Sequence, residues 1–125
     1  MWTGDGRPDE LTMKYAAGVD VFVTEVQTDT GKLIEQKYGL PRWLYDYTID
    51  THHTPHYAAG YLMKQIQPRL AMATRLEYDD DIINETIAGI RAHWDGFFAF
   101  GAPDVVTVNV TKDAIWLRKA VLPGM

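Results

Sequence analysis

Apolar residues recur along the chain at spacings that alternate between helical and extended patterns. Residues 8–17 are predicted to form a helix, because a proline and two acidic residues suit its first turn and Gly18 suits its end. Residues 19–26 are β-branched and mostly apolar, which predicts a strand covered on both faces. The pattern is broken over residues 27–53, where only residues 42–47 are predicted to be helical.

The middle of the chain predicts a capped helix followed by a strand. Thr54 suits an N-cap and Pro55 suits a first helical position, and apolar residues then follow at helical spacing up to Pro68. Residues 69–74 are predicted to form a short strand that leaves this helix.

The last part of the chain predicts one more helix and a closing hairpin. Asp79–Asp81 suits a helix start, and one face of this helix carries an apolar stripe of Ile82, Ile83, Ile87, Ile90 and Trp94. Residues 97–103 are predicted to be a loop. Two hairpin strands, 105–110 and 114–121, are predicted to close the chain.

Alternation of strands and helices with a final antiparallel pair predicts an α/β fold with a mixed β-sheet and flanking helices. The chain of 125 residues is predicted to form a single domain, 1–125. The predicted helices can cover one face of the sheet, and the other face needs a further covering surface.

Composition and charge narrow the class of protein. Apolar residues make up 46% and charged residues 23% of the chain, which is typical of a globular protein. The net charge of -5 and the scattered basic residues argue against a nucleic-acid partner. No apolar stretch is long enough to span a membrane, so we expect a cytoplasmic protein with no membrane partner. Because the chain has no cysteine, any metal must be bound by histidine and carboxylate side chains.

Three segments carry residues suited to chemistry. Asp5 lies in the glycine-flanked segment Gly4-Asp5-Gly6-Arg7-Pro8, where an ordinary turn role is the alternative. Three of the four histidines lie in the segment Thr51-His52-His53-Thr54-Pro55-His56, which suits metal binding or proton transfer but also an exposed polar loop. Glu25 lies at the end of a predicted strand and is otherwise read as a surface glutamate.

The order of these segments resembles the second half of the metallo-β-lactamase superfamily, and in particular its ribonuclease Z and phosphodiesterase branch. In sequence the resemblance runs through GDGRP, a short helix, DVFVTE, HTPxxAA and a strand that ends in Ala-Thr. It covers nearly the whole chain from Thr3 onward. The resemblance implies that the chain is one half of an αββα sandwich.

The resemblance also implies roles for individual residues. Asp5 matches the carboxylate that bridges two metal ions, and His53 matches a histidine that protonates the leaving oxygen or holds the scissile group. Glu25 matches a glutamate that orients such a histidine. Asp5, His52 and His53 are the candidate metal ligands, and His56 is a candidate substrate-binding residue. The implied cofactor is a divalent metal, zinc in the first place, with manganese or iron as alternatives.

Two departures from the family pattern weaken this expectation. The family's main ligand motif, His-x-His-x-Asp-His, occurs nowhere in the chain. Arg75 stands where the family carries its last metal-binding histidine, and a guanidinium has no lone pair for a metal. Arg75 could instead hold a phosphate of the substrate, pair with Asp5, or make an ordinary surface contact.

Two functions are therefore expected as alternatives. The first is a metal-dependent hydrolase of phosphodiester or related ester bonds, which as a homodimer would bury the uncovered sheet face and bring two copies of the site together. The second is a non-catalytic folding or binding module. Metal content and the mass in solution distinguish these alternatives.

Overall fold

The structure is a computed structural model that describes residues 1–28, 31–75, 80–101 and 106–119. Its helices and strands follow in this order: α1 (Glu10–Ala16), β1 (Val21–Glu25), α2 (Gly31–Tyr38), α3 (Arg42–Tyr45), a π-helical segment (Asp46–Asp50), α4 (His56–Ile66), β2 (Leu70–Thr74), α5 (Asp80–Arg91), β3 (Phe98–Phe100), β4 (Val106–Val110) and β5 (Ile115–Lys119). Within these described ranges, no helix is long and apolar enough to cross a membrane.

Strands β1, β2 and β3 form a parallel sheet in that order. The first residues of the chain extend this sheet beyond β1. Trp2 pairs with Val23 in a parallel bridge, and the Thr3 N–H donates to the Val23 carbonyl over 2.9 Å. In a parallel pair, the residues that follow each paired position lie side by side. The loop with Asp5, three residues after Trp2, therefore begins close to Glu25, two residues after Val23.

Strands β4 and β5 form a separate antiparallel sheet of two strands, with Val108 opposite Leu117. The Arg69 side chain connects this hairpin to the start of β2, because its Nη1 donates to the Thr111 carbonyl over 2.9 Å. The predicted α/β class, with parallel and antiparallel pairing and flanking helices, is confirmed.

The core lies between the helices and one face of the parallel sheet. Alternate strand residues Phe22, Ala71 and Ala73 are fully buried on this face. They belong to one apolar cluster with residues from α1, α4, α5 and the segment after α5: Ala16, Ala59, Leu62, Met63, Ile66, Ile90 and Trp94. Burying a large apolar side chain of this kind contributes about 1.5–3 kcal/mol, so this cluster is the main source of stability.

Helices α4 and α5 approach each other closely at Gly60. A Cβ atom at this position would lie 2.5 Å from the Ile90 carbonyl oxygen, which belongs to the backbone and cannot rotate away. Glycine is therefore required at the crossing point of the two helices.

The first predicted helix starts later than its sequence pattern suggests. Asp9 is the N-cap of α1, because its carboxylate accepts hydrogen bonds from the Thr12 hydroxyl (2.6 Å) and the Thr12 N–H (2.8 Å). These bonds, the hydroxyl contact first, lower the pKa of Asp9. Pro8 therefore lies outside the helix, whereas Gly18 follows its end with a φ of 73° as predicted.

The helix predicted after Thr54 is present but is capped differently. Thr54 donates its hydroxyl to the Gly6 carbonyl, and Pro55, with extended backbone, occupies the N-cap position before α4. The predicted helix 42–47 is α3 followed by the π-helical segment. Helix α2 was not predicted, because it begins at a glycine directly after Thr28-Asp29-Thr30, a sequence that favours a turn.

The prediction of a loop over residues 97–103 is wrong for its first part. Residues Phe98–Phe100 form β3, which pairs with β2 because both phenylalanines pack against the core cluster. Residues 102 and 103 lie outside the described part of the chain. The same holds for Asp79 and for residues 105, 120 and 121 of the predicted hairpin.

Candidate functional site

Asp5, Glu25 and His53 come together at the carboxyl end of the parallel sheet. Each offers one ligand atom, and these three atoms lie within 4.8 Å of one another. Glu25 is the last residue of β1, Asp5 lies in the loop before α1, and His53 lies in the turn between the π-helical segment and α4. Ligand sites of open α/β sheets occur at this edge, where the strands end. We refer to these three residues as the triad.

Glu25 is the centre of the triad. Its side chain is 1% exposed, and both of its oxygens accept hydrogen bonds. Oε1 accepts from the Gly6 N–H over 2.9 Å, and Oε2 lies 2.6 Å from Nδ1 of His53. The carboxylate is therefore satisfied by two short contacts in a buried position, as a buried charged group requires.

The contact with Glu25 determines which ring nitrogen of His53 carries the proton and which carries the lone pair. A carboxylate oxygen can only accept, so the proton of a neutral imidazole lies on Nδ1 and the lone pair lies on Nε2. The His53 side chain is 17% exposed, which leaves it accessible from solvent. His53 can therefore bind a metal or transfer a proton through Nε2 while Glu25 holds the ring.

The loop that carries Asp5 is tied to both partners through the backbone of Gly6. The Gly6 N–H donates to Glu25, and the Gly6 carbonyl accepts from the Thr54 hydroxyl over 2.5 Å. Thr54 is 2% exposed and follows His53 directly. The three segments of the site are thus joined by hydrogen bonds independently of any bound metal.

Arg75 directly follows the last residue of β2 and contacts Asp5. Its Nη1 lies 2.7 Å from Asp5 Oδ1, and the two side chains are 60% and 42% exposed. The sequence left three roles open for Arg75: a phosphate contact, an ion pair with Asp5 and an ordinary surface contact. The structure shows the ion pair with Asp5. The positive charge predicted to repel a cation thus lies beside the candidate metal ligand.

The neighbouring histidines are not part of the triad. His52 is exposed, and its Nδ1 lies 2.6 Å from the Thr51 hydroxyl and 3.1 Å from the Thr48 carbonyl, within its own segment. His56, the first residue of α4, packs its ring against Gly89, where an added Cβ would lie 1.9 Å from His56 Cδ2. The structure therefore does not bring the predicted ligand His52 or the predicted substrate-binding residue His56 to the group formed by Asp5, Glu25 and His53.

Two cavities are each lined by one member of an ion pair between Arg7 and Asp50, whose Nη1 and Oδ2 atoms are 3.3 Å apart. The smaller cavity, about 140 Å³, is lined by the loop around Asp5 and by Arg7. The larger, about 350 Å³, is lined by Asp50 and His56, among others. The larger cavity was not predicted from the sequence, although the spacing of Arg42, Asp46 and Asp50 indicates one helical face.

The donor types of the triad suit a divalent metal. Carboxylate and imidazole groups are ligands that zinc, manganese and iron accept. Glu25 already holds His53, so Asp5 and His53 are the donors with remaining capacity. Within the described ranges these residues form the group of histidine and acidic side chains that is close enough to share a metal.

Comparisons with known proteins give a likeness of fold. No family model matches the sequence, and no curated protein matches it. Among solved structures, 22 chains match. One is the crystal structure of the metallo-β-lactamase fold protein YhfI from Bacillus subtilis, which is 10% identical, with a TM-score of 0.58. The match covers 94% of this chain and 38% of YhfI, so the chain spans about two fifths of that protein's length. The chain therefore has the fold of part of a metallo-β-lactamase fold protein.

Proposed function

We propose that the chain carries part of a metal-dependent hydrolase site for phosphodiester or related ester bonds. The observation that carries this proposal is the triad, in which a buried Glu25 lies 2.6 Å from His53 and Asp5 offers a third ligand atom. The likeness to a metallo-β-lactamase fold protein supports it at the level of the fold. The ribonuclease Z and phosphodiesterase branch remains a prediction from the sequence.

In the proposed reaction His53 moves the proton. Nε2 of His53 accepts a proton from the attacking water as the water oxygen bonds to the phosphorus or acyl centre. The same proton then passes from Nε2 to the leaving oxygen as the bond to that oxygen breaks. Glu25 keeps the imidazole in one orientation and stabilises its charged form during this exchange.

Asp5 would hold a divalent metal, with zinc as the first candidate and manganese or iron as alternatives, because Nε2 of His53 is needed for the proton in this reaction. When bound, such a metal supplies Lewis-acid chemistry, which polarises the scissile ester and activates water. In this proposal Arg75 contributes a positive charge on the substrate side of Asp5. His56 would contact the substrate only from the larger cavity.

We also propose that the chain acts as a homodimer. A triad provides fewer ligands than a site with two metals uses, and a second copy would supply others. Trp2 is 74% exposed and lies beside Val23 on the sheet face opposite the core cluster, which favours association through this face.

The alternative function is a non-catalytic binding or folding module. The contact between Arg75 and Asp5 favours it, because the guanidinium satisfies the carboxylate that a metal would need. The metal content of the purified chain and its hydrolysis of bis(p-nitrophenyl) phosphate after metal addition distinguish the two functions. Absence of both bound metal and hydrolysis would support the module.

His53→Ala tests the proposed proton transfer, with His52→Ala as its matched control. We expect the His53 variant to hydrolyse the ester about 100-fold to 10,000-fold more slowly, because general acid and base groups contribute factors of this size. The His52 variant should retain nearly the full rate, since His52 bonds only within its own segment. Equal rates for the two variants would contradict the proposed role of His53.

A further inference from the structure

The conformation of Arg75 is determined by contacts around the end of β2. Its φ of 58° lies in the left-handed region, which an arginine adopts only where the surrounding structure holds it. The carbonyl of Thr74 accepts from the Val26 N–H over 3.1 Å, and the carbonyl of Arg75 lies 3.5 Å from the side-chain amide of Gln27. The backbone is thus fixed by the segment that follows β1, in the conformation from which the side chain meets Asp5.

The Arg75 guanidinium competes with a metal for Asp5. Arginine stays charged at all ordinary pH values, so it neutralises the Asp5 carboxylate permanently while the two are in contact. A divalent cation that binds Asp5 must displace the guanidinium or bind beside a positive charge. The 2.7 Å contact between Nη1 and Oδ1 therefore opposes metal binding in the absence of another ligand.

The same guanidinium is suited to bind an oxyanion. Its five N–H donors form a planar fork that matches phosphate and sulfate oxygens, and the contact with Asp5 uses one terminal nitrogen. The side chain is 60% exposed, so an anion can approach it from solvent. An oxyanion that binds the guanidinium in place of Asp5 would leave the Asp5 carboxylate available to a metal.

We propose that Arg75 couples metal binding to oxyanion binding, so that each ligand raises the affinity for the other. The proposal rests on the proposed function, because it takes Asp5 as a metal ligand. It narrows the substrate class to esters that carry a negative charge, such as phosphodiesters and sulfate esters. Neutral lactones and phosphotriesters carry no negative charge, so they would not displace Asp5 from the Arg75 guanidinium.

Metal titrations with and without sulfate test this coupling in the purified full chain. Mn²⁺ or Zn²⁺ binding is measured by calorimetry at constant ionic strength, with chloride replaced by sulfate. We expect sulfate to raise the apparent metal affinity of the natural sequence about 5-fold to 150-fold, the usual range for coupled sites. Arg75→Gln should bind the metal more tightly without sulfate and should lose the effect of sulfate.

Arg69→Gln is the matched control. Arg69 also pairs with an exposed aspartate, since its Nη1 lies 2.7 Å from Asp20 Oδ1, but neither residue belongs to the triad. This variant should keep both the metal affinity and the sulfate effect of the natural sequence. Arg75→Lys, which keeps the charge, should keep the weaker metal binding seen without sulfate.

The outcomes separate this proposal from the proposed function. If the natural sequence and Arg75→Gln bind metal with equal affinity, or if sulfate has no effect on the natural sequence, the coupling is overturned and the metal site stands. If no variant binds metal, the proposed function fails, and the coupling fails with it.

Discussion

Glu25 shows how a single buried residue organises a site. The side chain lies at the end of a strand, where burial would be costly without partners, and its two oxygens are satisfied by Gly6 and His53. This arrangement links a backbone amide of the Asp5 loop to a ring nitrogen of the histidine segment. The position of His53 therefore depends on the charge and acceptor character of Glu25.

Glu25→Gln tests this dependence while keeping the shape of the side chain. The glutamine amide can donate as well as accept, so His53 should no longer be held in one tautomer. We expect hydrolysis or metal affinity to fall about 10-fold to 100-fold, as is usual when a residue that orients a ligand is changed. Nitrogen-detected NMR of the His53 ring should show a mixture of tautomers.

Glu10→Gln is the control for this prediction, since Glu10 is exposed in the first turn of α1. It should leave both the His53 ring signals and the metal affinity unchanged. A Glu25→Gln variant with an unaltered tautomer and full affinity would show that Glu25 does not orient His53.

At the scale of elements, the contact between α4 and α5 determines where the histidine segment enters the fold. His56 begins α4 and packs against Gly89 of α5, and Gly60 lies one turn further along the same contact. Small residues at both places allow the helix axes to come close. The turn with His53 and Thr54 directly precedes this helix, so its position follows that of α4.

Gly60→Ala is expected to destabilise the chain by about 1–3 kcal/mol, the usual cost of forcing additional atoms into a packed contact. The added Cβ would lie 2.5 Å from the backbone oxygen of Ile90, so the two helices must move apart. The free energy of unfolding measured in urea gives the effect.

Gly4→Ala is the control for the helix contact. A Cβ at Gly4 would have no atom within 4 Å, so this variant should unfold at nearly the same urea concentration as the natural sequence. Equal destabilisation by both variants would mean that loss of glycine itself, rather than the contact with Ile90, is responsible.

At the scale of the whole molecule, the two faces of the parallel sheet differ. The face with Phe22, Ala71 and Ala73 is covered by helices. On the opposite face, Leu70 and Met72 of β2 are buried, whereas Val21 and Val23 of β1 are half-buried. The likeness to YhfI extends over 38% of that longer protein. In the proposed homodimer, a second copy of the chain would cover the half-buried residues of β1 on this face.

Trp2, which is exposed beside Val23, is predicted to lie in the contact of the proposed dimer. We expect light scattering at micromolar concentration to give the mass of a dimer for the natural sequence. Trp2→Glu should give a monomer, because a charge would be buried in the contact. Tyr15→Glu, which changes an equally exposed aromatic residue on α1, should remain a dimer. A monomeric natural sequence would contradict the prediction.

Several features of this chain could be predicted from the sequence because they depend on neighbouring residues. Local spacing indicated β1, β2, α4 and α5, and the order of the motifs indicated a metallo-β-lactamase fold. Loop residues 97–103 were misassigned in part, because β3 has only three residues and exists through its pairing with β2. Helix α2 was missed, because Gly31 and the Thr and Asp residues before it favour a turn in the local sequence.

The sequence by itself determined which chemical groups are available: carboxylates, imidazoles and guanidinium groups, with no thiol. Only the tertiary structure decided which of them meet. His52 and His53 are adjacent in the chain, yet one contacts its own segment and the other contacts Glu25, 28 positions away. The physical reason is that parallel strand pairing and helix packing bring distant segments to one sheet edge, and side-chain direction there depends on contacts that local sequence does not encode.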